Sequence, residues 1–166
     1  MSPEKNLVIG FDIGTSSIKL ILLNIENDTL ESEFNESIHS SLINLPNKER
    51  HEQNVDIIVK IANSLMEKIT DDKWQRVKGI QLTGQMHGIL LWNTETNEHT
   101  NLVNWQDQRC SEEFLKNQIP IQSIVDLNSG YGIATLFWYL FNGEKENIFL
   151  KKYNAAGTIQ DYITFM

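Results

Sequence analysis

The segment that decides the fold lies near the N-terminus and reads Val8-Ile9-Gly10-Phe11-Asp12-Ile13-Gly14-Thr15-Ser16-Ser17-Ile18-Lys19. Its first half is a near-continuous apolar run, which is typical of a strand buried on both faces. An acidic residue, a glycine and three hydroxyl side chains follow before the next apolar run begins. Such a turn can direct backbone N–H groups at a phosphate while the Asp12 carboxylate holds a metal ion. A plain Asp-Gly hairpin turn fits the same residues.

Size and charge restrict the classes of function. The 166 residues with 40% hydrophobic and 22% charged side chains indicate one soluble globular domain, 1–166. A formal net charge of −8 argues against a nucleic acid or an anionic membrane as the main partner. The N-terminus lacks the basic flank and apolar core of a signal peptide, and no apolar run reaches the length of a bilayer span. We therefore expect a cytoplasmic protein.

Cys110 is the single cysteine, so an internal disulfide and a thiolate metal cluster are both excluded. The neighbouring Arg109 could lower the pKa of this thiol and make it reactive. We nevertheless expect an inert structural thiol, with the reactive thiol as the alternative.

The pattern along the chain predicts three N-terminal strands in an antiparallel meander, then a helix capped by Asn54, then further strands and helices. Phe137, Trp138 and Leu140 are expected to pack in the core, and Asn142-Gly143 to close their helix. Thr158 is the expected N-cap of a last helix that reaches Met166 without a stop signal, so we expect an N-terminal piece of a longer protein. The predicted strands are 7–11, 18–23, 29–38, 77–83 and 89–92, and the predicted later helices are 111–117 and 133–141.

Two further segments carry chemistry. In Gly84-Gln85-Met86-His87-Gly88, two glycines bracket an amide, a thioether and an imidazole that can face a small polar ligand. In Trp105-Gln106-Asp107-Gln108-Arg109, an aromatic face, a carboxylate and a guanidinium provide what recognition of a polyol requires. The alternatives are a structural histidine, and a solvated turn in which Asp107 and Arg109 form an exposed ion pair of little energetic consequence.

Together these segments resemble the FGGY family of carbohydrate kinases, within the actin-like sugar-kinase superfamily. The resemblance extends over nearly the whole chain, and the runs Ser129–Trp138 and Tyr153–Tyr162 bring it closest to the family's ketose kinases. It implies an α/β, ribonuclease-H-like (actin-like ATPase) domain, with a mixed five-stranded sheet flanked by helices. It also implies ATP-dependent phosphorylation of the terminal hydroxyl of a ketose, with sedoheptulose first, and xylulose or ribulose as alternatives.

The resemblance also implies roles for individual residues. Asp12 would hold Mg²⁺, and Gly14, Thr15 and Ser16 would lie beside the ATP phosphates. The sugar would be bound by Gln85, Met86, His87, Trp105, Asp107 and Arg109. No catalytic base is assigned, because the family's aspartate is expected beyond residue 166, and we therefore expect negligible kinase activity from these residues alone. A non-catalytic sugar-binding domain is the alternative from another class.

Overall fold

The computed structural model describes residues 4–118, 127–146, 148 and 150–166, and the chain divides into two compact units. The first unit comprises Met1–Ser41 and Asp56–Gly84, and the second comprises Leu42–Val55 and Gln85–Met166. Each unit is therefore built from two separate pieces of the chain. Within the described part of the chain, no helix has both the length and the apolar character needed to span a membrane.

The described residues form the following strands and helices. The strands are β1 Leu7–Ile13, β2 Ser17–Asn24, β3 Thr29–Ser37, β4 Glu52–Gln53, β5 Val77–Gly84, β6 Leu90–Trp92, β7 Leu102–Val103 and β8 Ala155–Gly157. The α-helices are α1 Val55–Met66, α2 Asp71–Arg76, α3 Glu112–Gln118, α4 Gly132–Asn142 and α5 Ile159–Phe165. Short 3-10 helices span His39–Ser41, Gly143–Glu146 and Leu150–Lys152.

The first unit contains a mixed four-stranded sheet in the order β3-β2-β1-β5. Strand β1 runs antiparallel to β2 and parallel to β5, and β2 runs antiparallel to β3, which confirms the N-terminal meander. Alternate residues of β1 are fully buried, and the apolar face of α1 also contributes to the core of this unit. The mixed α/β architecture is thus confirmed. The expected strand count of five is wrong for this sheet, because β6 pairs with β8 instead.

The second unit is held by two short antiparallel pairs, β4 with β7 and β6 with β8. Around them, α3 and α4 bury the side chains of an apolar cluster that includes Cys110, Trp138 and Tyr139. Leu140 is 61% exposed, so its predicted place in the core is wrong. The buried face of α4 carries residues 134, 135, 138 and 139, and Leu140 falls outside this stripe.

The helix ends test the capping predictions. Thr158 is the N-cap of α5 as expected, and it also forms a capping box with Asp161. Gly143 does not close α4 by a left-handed turn, because its φ of −56° and ψ of −42° are helical and the chain continues into a 3-10 turn. The six-residue α2 was not predicted from the sequence.

Candidate functional site

The turn between β1 and β2 belongs to the first unit. Gly14 donates its N–H to the Ser17 carbonyl over 3.0 Å, so the segment is a tight hairpin turn. A Cβ atom at Gly14 would lie 3.1 Å from that oxygen, which explains why a glycine occupies this position. Ser16 is exposed at the tip, and Thr15 is partly buried beside it. Because Gly14 uses its N–H inside the turn, that N–H is not available to a ligand.

Asp12 lies in β1, partly buried, opposite Lys19 of β2 and Thr83 of β5. The described residues contain no group of three side chains of the His, Cys, Asp and Glu types arranged to hold a metal ion. Mg²⁺ is usually bound by one or two carboxylates together with phosphate oxygens and water. A single carboxylate beside hydroxyl groups therefore fits an ion shared with a bound phosphate, and does not fit a site built from protein ligands alone.

The loop that follows β5 belongs to the second unit and carries three of the residues predicted to bind sugar. Gln85 is buried, and its Nε2 donates to Oε1 of Gln53 over 3.2 Å. Met86 is 72% exposed. His87 adopts a φ of 62°, which is unusual for a residue other than glycine, and its ring stacks on Tyr131 with 4.2 Å between centroids. The loop thus presents two of its three side chains outward and anchors the third.

The segment 105–109 also divides into exposed and buried parts. Trp105 is 50% exposed, whereas the side chains of Asp107 and Arg109 are 0% and 1% exposed. The alternative of an exposed ion pair is therefore wrong. Each oxygen of the Asp107 carboxylate accepts two hydrogen bonds, of which one comes from the His51 N–H and the others from Arg109. The acceptor positions of the carboxylate are thus filled from within the protein.

Arg109 is the centre of this buried network. Its Nη1 donates to the Tyr139 hydroxyl over 3.0 Å, and its Nη2 donates to Oε1 of Glu52 over 2.7 Å. Burial is the largest single effect and opposes the positive charge, but the hydrogen bonds to Asp107 and Glu52 and the charges around them together outweigh it and raise the pKa of Arg109. Burial also raises the pKa of the Cys110 thiol to about 12, which agrees with the expected inert structural thiol and not with a reactive one.

A turn from Ser129 to Gly132 joins the two segments. Gly130 has a φ of 81°, and a Cβ atom on it would overlap the Trp105 carbonyl oxygen. A Cβ atom on Gly132 would lie 3.1 Å from the carbonyl oxygen of His87. The two glycines therefore let this turn lie directly on the backbones of both candidate segments, with the Tyr131 ring on the His87 ring.

The result is one open cleft in the second unit, of about 390 Å³, between the aromatic rings of His87, Trp105 and Tyr131. Polar groups of Gln108, Ser111 and Asn128 line the same cleft. Of the residues predicted to bind sugar, His87 and Trp105 line it, whereas Gln85, Asp107 and Arg109 are buried among protein partners. Asp12, Gly14, Thr15 and Ser16 belong to the first unit.

Sequence reasoning missed three contributors to this arrangement, namely Tyr131, Glu52 and Gln53. For Tyr131 a signal existed, because it stands between two glycines, as the 85–87 segment does. For Glu52 and Gln53 there was none, because a two-residue strand has no hydrophobic periodicity.

Comparisons with known proteins all find carbohydrate kinases. The family model described as "FGGY family of carbohydrate kinases, N-terminal domain" matches residues 7–166. The sedoheptulokinase of Mus musculus is 34% identical over 98% of this chain and 38% of its own length. A xylulose kinase of Staphylococcus xylosus is 27% identical over 95% of the chain and 33% of its own length. The chain thus spans little more than a third of these curated relatives.

Among solved structures, that of a xyloylose kinase from Brucella ovis superposes with a TM-score of 0.78 at 20% identity. The match covers 95% of this chain and 33% of the Brucella ovis chain. This likeness establishes the fold.

Proposed function

We propose that this chain, which belongs to the FGGY family of carbohydrate kinases, supplies the sugar cleft and a phosphate-binding turn of an ATP-dependent ketose kinase. The reaction is transfer of the γ-phosphoryl group to the terminal hydroxyl of the ketose, with sedoheptulose as the substrate, giving sedoheptulose 7-phosphate. The observation that carries the proposal is the aromatic cleft of His87, Trp105 and Tyr131, which is lined with amide and hydroxyl groups. The greater identity to a sedoheptulokinase than to a xylulose kinase supports the choice of sugar.

The cleft has the chemistry that a polyol needs. Trp105 offers an exposed aromatic face to the C–H side of a sugar, and the imidazole of His87 can donate to or accept from a hydroxyl. The buried pair Asp107 and Arg109 acts on the sugar indirectly, because it fixes the backbone that carries Trp105. Gln85 holds its loop in the same way.

The turn after β1 has the chemistry that a phosphate needs. The tip residues Thr15 and Ser16 would lie beside ATP phosphates, with Gly14 keeping the turn tight. Asp12 would hold Mg²⁺, which neutralises charge on the transferring phosphoryl group when bound. Asp107 is not a candidate for the general base, because its carboxylate has no acceptor position left.

The proposal is tested by titrating the chain with sedoheptulose, xylulose, ribulose and glycerol in a calorimeter. We expect saturable binding of ketoses with sedoheptulose preferred, and binding weakened about tenfold by Trp105→Ala. Trp74→Ala, a partly buried tryptophan of the first unit, is the matched control and should leave binding unchanged. Preference for a pentulose would overturn the choice of sugar, and absence of any ketose binding would overturn the proposed function.

A coupled assay that detects ADP tests whether the chain has kinase activity. We expect no ketose-dependent ADP formation above background from these 166 residues, because no catalytic base is assigned among them. Turnover by this chain would contradict that expectation and place the base within it.

A further inference from the structure

We infer that Glu52 and Gln53, the two residues of β4, are positioning residues that hold both sugar-binding segments of the second unit in place. The inference rests on the proposed function, since it concerns the same cleft. Neither residue lines that cleft. Each acts through a side chain that the resemblance assigns to the sugar site.

Gln53 holds the segment 84–88. Its side chain is fully buried, and its Oε1 accepts the hydrogen bond from Nε2 of Gln85. Gln85 immediately precedes Met86 and His87, so this bond anchors the base of the loop that carries them. An apolar side chain at position 53 would leave a buried amide donor of Gln85 without this acceptor, which is costly in a protein interior.

Glu52 holds the segment 105–109. Its Oε1 accepts from Nη2 of Arg109 over 2.7 Å, and its Oε2 accepts from Nδ2 of Asn101 over 2.9 Å. The preceding residue, His51, donates its N–H to Asp107 over 2.8 Å and accepts the N–H of Asn104 over 3.1 Å. The neighbours of Trp105 on both sides are therefore tied to the same short segment.

Strand geometry explains how two adjacent residues reach two different segments. Successive side chains of a strand point to opposite faces, so Glu52 and Gln53 project in opposite directions. Strand β4 also pairs with Leu102 and Val103 of β7, just before the segment that carries Trp105. One extended dipeptide thus helps to fix the separation of His87 and Trp105, and with it the width of the cleft for the sugar, alongside the direct backbone pair of Ile89 with Val103.

The test compares Gln53→Leu and Glu52→Gln with wild type by calorimetric titration with sedoheptulose, at a temperature where circular dichroism shows each variant fully folded. We expect the dissociation constant to rise about tenfold in each variant, because displaced binding groups lose part of their contacts. Glu49→Gln and Gln75→Leu, which change exposed side chains in the same way, should leave it unchanged. Gln53→Asn, which keeps the amide but is too short to reach Gln85, replaces Gln53→Leu if that variant does not fold.

A double-substitution cycle separates positioning from a general loss of stability. If Gln53 acts through Gln85, then Gln53→Leu combined with Gln85→Leu should bind sedoheptulose no more weakly than Gln85→Leu alone. Additive losses, or variants that melt earlier yet bind sedoheptulose like wild type, would overturn the positioning role while leaving the proposed function intact. Absence of ketose binding by the wild-type chain would instead overturn the proposed function, and this inference with it.

Discussion

Arg109 donates three hydrogen bonds to the Asp107 carboxylate, from its backbone N–H and Nε to Oδ1 and from Nη2 to Oδ2. Both side chains are removed from water. A buried ion pair of this kind is costly to break, because the remaining partner becomes an uncompensated charge. The pair therefore governs the stability of the second unit as well as the course of its backbone.

Substitution of Asp107 by Asn should lower the free energy of unfolding by about 3 kcal/mol, because the buried guanidinium of Arg109 loses one of its two charged partners and keeps only Glu52. Urea denaturation followed by circular dichroism measures the change. Glu113→Gln, at an exposed position of α3, should alter stability by less than about 0.5 kcal/mol. A loss of sedoheptulose binding with unchanged stability would contradict this structural role and indicate direct contact with the sugar.

His87 has a positive φ and a ring that stacks on Tyr131. Substitution by glycine relieves the backbone strain and removes the stacked ring. We expect His87→Gly to change the free energy of unfolding by less than about 1 kcal/mol, because relief of the positive φ offsets loss of the Tyr131 contact. Binding of sedoheptulose, measured by calorimetry, should weaken at least about tenfold. Asn97→Gly, at a φ of 60° in a different loop, is the control that should leave binding unchanged. Wild-type affinity in His87→Gly would exclude the imidazole from the sugar site.

Gly130 has no room for a side chain. Gly130→Ala should lower the free energy of unfolding by about 2 kcal/mol or more, because it adds strain at a φ of 81° to an overlap with the Trp105 carbonyl oxygen. Thermal and urea unfolding give the value. The control Gly79→Ala introduces a Cβ atom that has no neighbour within 4 Å, so it should be neutral or slightly stabilising. Equal effects of the two substitutions would refute the proposed close approach.

The Cys110 thiol should react slowly in the native state, since burial raises its pKa to about 12 from an ordinary value of 9.0. At pH 8, a thiol reagent should modify it much faster in guanidinium chloride than in buffer. Because the folded-state pKa is the higher one, the thiol contributes stability below pH 9 that is lost as the pH rises towards about 12. Cys110→Ala should therefore lose less stability than wild type over that range. Rapid native modification at pH 8 would contradict the burial.

The parts of the fold with strong periodicity could be predicted from the sequence. Strand β1 and helix α1 each have a hydrophobic pattern sustained over several residues, and Thr158 has a capping box. The short strands β4, β7 and β8 have two or three residues, which is too few for any pattern. Their pairing depends on residues far apart in the chain, and the same reason explains why the sheet was expected to have a fifth strand.

The segments that form the candidate site could be predicted from the sequence, but the burial of their side chains could not. Trp105 and Asp107 lie two residues apart, and no local signal shows that one is half exposed and the other enclosed. Asp107 is enclosed by His51 and by Arg109, and Arg109 is held in turn by Glu52 and Tyr139, which come from distant parts of the sequence. The assigned roles of the site residues in sugar and phosphate binding are still predictions.

Strand β4 has a consequence for how the second unit can be isolated. Residues 56–84, which belong to the first unit, are inserted between β4 and the rest of the second unit. No single cleavage can therefore release the sugar cleft intact, and expression of residues 85–166 alone would leave β7 without its partner strand. During synthesis, β4 must likewise await Leu102 and Val103 before it can pair, which adds a long-range loop closure to the folding of this unit. A shorter sugar-binding module would need residues 42–55 joined to residues 85–166 by a linker in place of the inserted segment.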